Sequence, residues 1–168
     1  MNPREAGFLL LSSHLSDPDR RPLTMAQLRT LAVRAKALNG WDMSGELTEQ
    51  ALIAIGYEPA AAAHILKLLS QDALLEQYVA RGAKHGCIPI TRVSGAYPDT
   101  VRQRLRLESP GCLWAKGDVS LLQEPCVALV GSRNLEPGNE AFAIEVGHQA
   151  AKQGYVLVSG NARGADRV

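Results

Sequence analysis

The chain has 168 residues, 46% of them hydrophobic and 21% charged, a composition that suits one globular domain or two small ones and excludes disorder as the starting assumption. With 18 basic and 17 acidic side chains the formal charge is +1, so no overall positive field exists and any polyanion must be held locally, in a pocket or along a short stripe. No run approaches the roughly 18 apolar residues that cross a bilayer, and Met1 to Arg4 lack the apolar core and cleavage site of a signal peptide. A cytoplasmic chain without a membrane partner is expected.

The first 85 residues read as short helices. Asn2 can cap a first turn, with Pro3 at the first helical position and Glu5 at the third, ahead of the apolar run Phe8 to Leu11. After a polar loop holding Pro18 and Pro22, Thr24 caps a second helix whose Leu28, Leu31, Ala35 and Leu38 recur at helical spacing and which stops at Asn39 and Gly40. A third runs from about Thr48 to Ile55 and ends at Gly56. Residues 58–69 and 72–83 make a fourth and fifth, with Ile65, Leu68 and Leu69 on the apolar face of one and Leu75, Tyr78, Val79 and Gly82 on that of the other.

From about residue 86 the pattern changes to short β-type runs. Cys87 to Val93 and Gly111 to Lys116 are separated by Tyr97, Pro98 and a helical turn over Asp99 to Leu107, and Pro89 puts the first run at an edge or a strand start. Cys126 to Val130 shows no polar alternation, which suits a strand buried on both faces of a parallel sheet. A helix over about Asn139 to Gln153 follows, with Phe142, Ala143, Val146, Gly147 and Ala150 inward, and Tyr155 to Val158 is a second such strand. Residues 126–159 therefore have the length of a strand-helix-strand crossover between parallel strands. The fold class is α/β, with a helical domain over residues 1–85 and the first part of a parallel-sheet domain over 86–168. Cys87, Cys112 and Cys126, three in number and far apart, read as buried reduced thiols.

Both parallel strands run into small-residue loops that carry an arginine. The first is Gly131, Ser132 and Arg133; the second runs from Ser159 and Gly160 through Arg163 and Gly164 to Asp166. In an open parallel sheet, ligands sit beyond the carboxyl ends of the strands, where helix N-termini converge. Gly131 permits a sharp turn, Ser132 offers a hydroxyl, and the N–H groups leading into the helix carry its positive dipole end. Arg133 and Arg163 add planar forks suited to phosphate oxygens. Asp166 falls in the first turn of a following helix, where it can hold an arginine. Turn-forming glycines and surface arginines give a bland account of either loop alone; two matching loops on neighbouring strands favour a phosphate site.

Other signals are weaker. The GxGxxG pattern is missing after Gly131, and so is a P-loop lysine, so no dinucleotide or triphosphate cofactor is indicated. His14, His64, His85 and His148 lack metal-ligand spacing. Ser132 has no identifiable base, so catalytic residues are not assigned. Arg102, Arg104 and Arg106 suit either a nucleic-acid backbone or a solvated charged face, and Trp41 and Trp114 suit base stacking less well than packing.

With those residues in view, the chain resembles the DNA-processing protein A family (DprA, also called Smf). The likeness rests on Ile88 to Pro98 leading through Pro110 and Gly111 to Leu113–Gly117, on Val127 to Arg133, and on Ser159 to Asp166. It implies a SAM-like helical front domain before a Rossmann-like one, and a non-enzymatic protein that binds and protects single-stranded DNA and helps to load the RecA recombinase in natural transformation. By that resemblance Arg133 contacts a DNA phosphate, with Gly131, Ser132, Ser159, Gly160 and Arg163 lining the same pocket. Asn161 and Ala165 stand where the family has larger apolar residues. The chain ends after two strands of the parallel unit, so a C-terminally truncated family copy is expected, lacking later surfaces for DNA, self-association and RecA. A nucleotide-binding or nucleotide-cleaving protein on a related scaffold, and an inert remnant, stay open as alternatives.

Overall fold

The computed structural model describes residues 1–36, 38 and 47–167. They fall into two compact units, Met1–Val119 and Ser120–Val168. The expected stop of the second helix at Asn39 and Gly40, and Trp41, lie outside the described residues.

The first unit is built on α1 (Pro3–Ser12), whose start is a complete capping box: Asn2 Oδ1 accepts the Glu5 N–H and Glu5 Oε2 accepts the Asn2 N–H, each at 2.9 Å. An equivalent box of Thr24 and Gln27 opens α2 (Met25–Ala35). Thr48 caps α3 (Glu49–Ala54), which stops where Gly56 takes a φ of +89°. Next come α4 (Pro59–Leu69) and α5 (Asp72–Lys84). The run Phe8 to Leu11 is buried throughout because α1 lies between two packing partners. Phe8 and Leu11 join Leu28, Leu31, Leu52, Ile65 and Leu68 in one cluster, while Leu9 and Leu10 join Leu15 and Leu75 in another. A helix covered on two sides shows a continuous apolar run instead of a stripe.

The polar loop after α1 is tied down by Arg20, which is buried. Its Nε donates to Gln71 Oε1 at 2.7 Å, and its guanidinium also donates to the carbonyls of Leu10, Ser13 and Leu68. Those carbonyls belong to the ends of α1 and α4, which lack helical partners. Burial lowers the pKa of this guanidinium, against the opposing pull of the Asp17 carboxylate.

Strands β1 (Ile88–Thr91) and β2 (Cys112–Ala115) form an antiparallel pair with Ile88 opposite Ala115 and Thr91 opposite Cys112. The pair packs on α1 and α5 inside the first unit. Composition thus changes near residue 85, whereas the compact units change at 119. A close approach occurs at Gly82 on α5: a Cβ there would lie 2.0 Å from the Trp114 ring. Trp114 also meets Tyr78 edge-on at 5.2 Å and donates Nε1–H to its hydroxyl at 3.2 Å, so this tryptophan packs. Between the strands, Tyr97 is fully buried and its hydroxyl donates to the Pro110 carbonyl at 2.7 Å, which joins the Tyr97–Pro98 and Pro110–Gly111 segments. Then α6 (Asp99–Leu105) runs into a 3₁₀ turn (Arg106–Glu108) through Arg106, whose φ of 47° and ψ of −120° cost a non-glycine residue about 1–3 kcal/mol. Ser109 holds that conformation by donating its Oγ–H to the Arg106 carbonyl at 2.7 Å.

In the second unit, β3 (Cys126–Ala128) and β4 (Val156–Val158) pair in parallel, Cys126 opposite Val156 and Ala128 opposite Val158, joined by α7 (Pro137–Lys152). The strand-helix-strand crossover is therefore present. Its burial differs from expectation. All three β3 residues are exposed, and α7 packs on β4. Ala143 and Ala150 are buried on α7 and Gly147 lies against Leu157, but Phe142 is 69% exposed rather than inward. The cysteines are free, yet Cys126 on exposed β3 is exposed and Cys87 and Cys112 are half-buried, so the expectation of buried thiols fails.

Candidate anion-binding site

The two loops do meet. The Ala165 N–H donates to the Ser132 carbonyl at 3.1 Å, and beneath them the Leu129 N–H donates to the Val158 carbonyl at 2.9 Å, continuing the β3–β4 pairing toward the loops. A Cβ on Gly131 would lie 2.7 Å from Ala165 Cβ, so only glycine lets the first loop lie against the second here. In the second loop, Ser159 Oγ donates to the Asp166 carbonyl at 2.8 Å and the Ala162 N–H points to Asp166 Oδ2 at 3.4 Å. A Cβ on Gly160 would come within 2.7 Å of that same oxygen. Gly164 turns the chain at a φ of +91°.

Above this frame Arg133 and Arg163 line one open groove of about 590 Å³, together with Asn134, Asn161, Ala162 and Arg167. The eight residues expected at the site therefore divide. Arg133 and Arg163 line the groove, while Gly131, Ser132, Ser159, Gly160, Gly164 and Asp166 build the loops that carry it.

Three details correct the sequence reading. The helix after the first loop begins only at Pro137, with an extended Glu136 at its N-cap, so the N–H groups of residues 131–133 do not belong to its first turn. Proline favours the first helical position and holds its predecessor extended, which sets that start. Ser132 does not line the groove, and its exposed hydroxyl accepts the Asn134 N–H at 3.2 Å. Asp166 sits in a turn closed by the Arg167 N–H to Gly164 carbonyl bond at 2.9 Å, and its carboxylate serves the second loop rather than an arginine.

Sequence reasoning does not single out Arg167, Asn134 and Asn161 as ligand-facing. Arg167 Nε donates to both the carbonyl and the Oδ1 of Asn161 at 3.0 Å, which orients its guanidinium beside the groove. Asn161 adopts a φ of 54°, a conformation that asparagine tolerates better than most residues. The available signal for this pair is Asn161 itself, a polar residue where the family pattern has a larger apolar one. Among the described residues no carboxylate lines the groove, and three guanidinium groups and two side-chain amides do, so it can receive an anion. Among those residues, too, no cluster of His, Cys, Asp or Glu could hold a metal ion, and no helix is long and apolar enough to cross a membrane. His64 Nε2 lies 2.8 Å from the Arg21 carbonyl, in keeping with a satisfied histidine.

A unit of helices with one antiparallel strand pair, followed by a parallel strand-helix-strand unit with arginines at the strand ends, defines an α/β chain with a Rossmann-like parallel unit. Residues 89–168 match the family model of DNA recombination-mediator protein A. The X-ray structure of DNA processing protein A (DprA) from Streptococcus pneumoniae shares the fold, with a TM-score of 0.57 and 23% identity over 99% of this chain and 51% of that one. The chain thus spans about half the length of that relative. No curated protein matches it.

Proposed function

We propose that the groove between the two loops binds the phosphate backbone of single-stranded DNA, and that the chain acts in DNA processing and recombination by binding. The observation that carries this reading is the convergence of Arg133, Arg163 and Arg167 on one groove without a carboxylate in its lining among the described residues. A nearly neutral chain with three guanidiniums at one place binds polyanions locally and without reading sequence. The family match over residues 89–168 supports DNA as the polyanion. Protection of incoming strands, loading of the RecA recombinase during natural transformation and self-association belong to the same proposal.

Cleavage of a nucleotide in this groove is disfavoured by Asp166. Its carboxylate is engaged with the Ala162 N–H inside the second loop and does not line the groove, so it is poorly placed as an acid toward a ligand.

The test is fluorescence anisotropy of labelled oligo-dT across a salt series, with Arg133→Ala, Arg163→Ala and Arg167→Ala alongside. Each variant should weaken binding, and each phosphate left unneutralised should make the log–log salt dependence shallower by about 0.7. Unchanged affinity in all three would overturn the reading. Salt-insensitive, saturable binding of a labelled mononucleotide in place of oligo-dT would favour a small-molecule site.

A further inference from the structure

A second concentration of guanidinium groups lies in the first unit, away from any residue of the two-loop groove in sequence. Arg29 on α2, Arg92 after β1, Arg102 and Arg104 on α6, and Arg106 on the 3₁₀ turn line an open concavity of about 760 Å³, with Glu108 its only acidic member among the described residues. The 3₁₀ turn packs on α2, which brings Arg29 to arginines that are distant from it in sequence. The run Arg102, Arg104, Arg106 by itself is equally well explained as a solvated face; the addition of Arg29 and Arg92 from separate elements is what only folding shows.

The five cations are held differently. Arg102 is fixed: Nη1 meets Asp99 Oδ1 at 3.0 Å, Nη2 donates to the Arg92 and Ser94 carbonyls at 3.2 and 3.4 Å, and the guanidinium lies over the Tyr97 ring at 5.5 Å. Arg29, Arg104 and Arg106 are exposed. Arg106 is presented by the strained backbone conformation described above, the sort of local cost that gathers at functional sites. Leu105 and Leu107, which line the same concavity, are 45% and 41% exposed and give it apolar surface beside the charges.

From this we infer that the first unit carries its own nucleic-acid groove, in which the arginines contact backbone phosphates and Leu105 and Leu107 contact base faces. Like charges are crowded at a cost that a polyanion relieves, and planar guanidinium forks match phosphate oxygens in pairs. Mixed cationic and apolar lining suits a single strand, whose bases are free to touch side chains. The inference shares its ligand with the proposed function but uses none of its residues.

The experiment is a ¹H–¹⁵N NMR titration of the whole chain with oligo-dT, run in parallel on Arg133→Ala/Arg163→Ala and on Arg29→Glu/Arg104→Glu. The milder Arg29→Gln/Arg104→Gln pair is included in case charge reversal disturbs folding. Amide shifts at 29, 92 and 104–108 should appear, persist in the first variant and vanish in the charge-reversed one. The salt dependence of binding should become shallower by about 0.7 for each phosphate that the variant no longer neutralises. Shifts confined to 131–134 and 159–167 overturn this inference and leave the two-loop groove standing; shifts confined to 104–108 do the reverse, and no shifts overturn both. Polyglutamate shifting 104–108 where oligo-dT does not would assign the groove to an acidic protein instead, against the inference.

Discussion

Gly164 and Arg133 are in closer backbone contact than any side chain on Gly164 would allow. A Cβ on Gly164 would lie 2.6 Å from Arg133 Cα and 2.2 Å from the Ser132 carbonyl oxygen. Gly164 also has a φ of +91°, so two independent requirements exclude a side chain. The contact sets the position of the first loop's arginine from the second loop. Gly164→Ala should therefore separate the loops as well as strain the turn, which alone costs about 1–2 kcal/mol. We expect a loss of oligo-dT affinity at least as large as that of Arg133→Ala, with faster hydrogen exchange at residues 129–133 and 156–166. Full retention of affinity would show that the loops bind independently.

Arg20 anchors the ends of two helices and the loop between α1 and α2. Arg20→Ala leaves buried carbonyls of Leu10, Ser13 and Leu68 without this donor, an effect that should destabilise the first unit by about 3 kcal/mol. Arg20→Lys should recover little, since an ammonium cannot reproduce the planar fork across four acceptors. Urea unfolding followed by far-ultraviolet circular dichroism checks both; equal midpoints in the wild type and Arg20→Ala would remove Arg20 from the stability of the unit.

Burial pushes the Cys112 thiol up to about 11 from an ordinary value of 9.0, partly opposed by a hydrogen bond with the Ile90 backbone. Between those values the folded protein holds a proton that the unfolded chain has released. The stabilisation is complete below about pH 9 and falls as pH rises through that window. The urea midpoint should drop between about pH 9 and 11 more in the wild type than in Cys112→Ala. A thiol reagent at about pH 8 should modify exposed Cys126 well before Cys112.

Exposed apolar side chains gather on the second unit. Val130 is 76% and Phe142 69% exposed, and Phe142 lines a concavity of about 540 Å³ with Cys126, Val127, Val146 and Tyr155. A patch of this kind binds hydrophobic dyes and promotes association. Phe142→Glu should lower anilinonaphthalene sulfonate fluorescence and reduce any self-association in sedimentation, while the unfolding of the first unit stays the same. Unaltered dye binding would place the accessible apolar surface elsewhere.

Local chemistry is legible wherever a few adjacent residues settle the outcome. The boxes at Asn2–Glu5 and Thr24–Gln27, the stop at Gly56 and the short strands at Ile88 and Val156 follow from side chains bonding to their own backbone and from apolar spacing. Val127 and Val158 show where that reasoning stops. Their apolar runs imply a buried strand, but burial depends on which other elements lie over the strand, and here both are exposed. The same limit applies to Phe142, whose helical position is as expected and whose surroundings are not.

The candidate site divides along the same line. Sequence by itself determined that two strand-end loops carry small residues and arginines, because a parallel crossover places both strand ends on one side. Tertiary structure decided which atoms face outward. It turned Ser132 and Asp166 into the support of the loops, brought Arg167 beside Asn161, and gathered Arg29 with Arg92, Arg102, Arg104 and Arg106 from α2, the turn after β1, α6 and the 3₁₀ turn. Backbone spacing and capping are short-range, so neighbouring residues encode them; the direction of a long side chain and the company it keeps are settled by contacts between segments far apart in the chain.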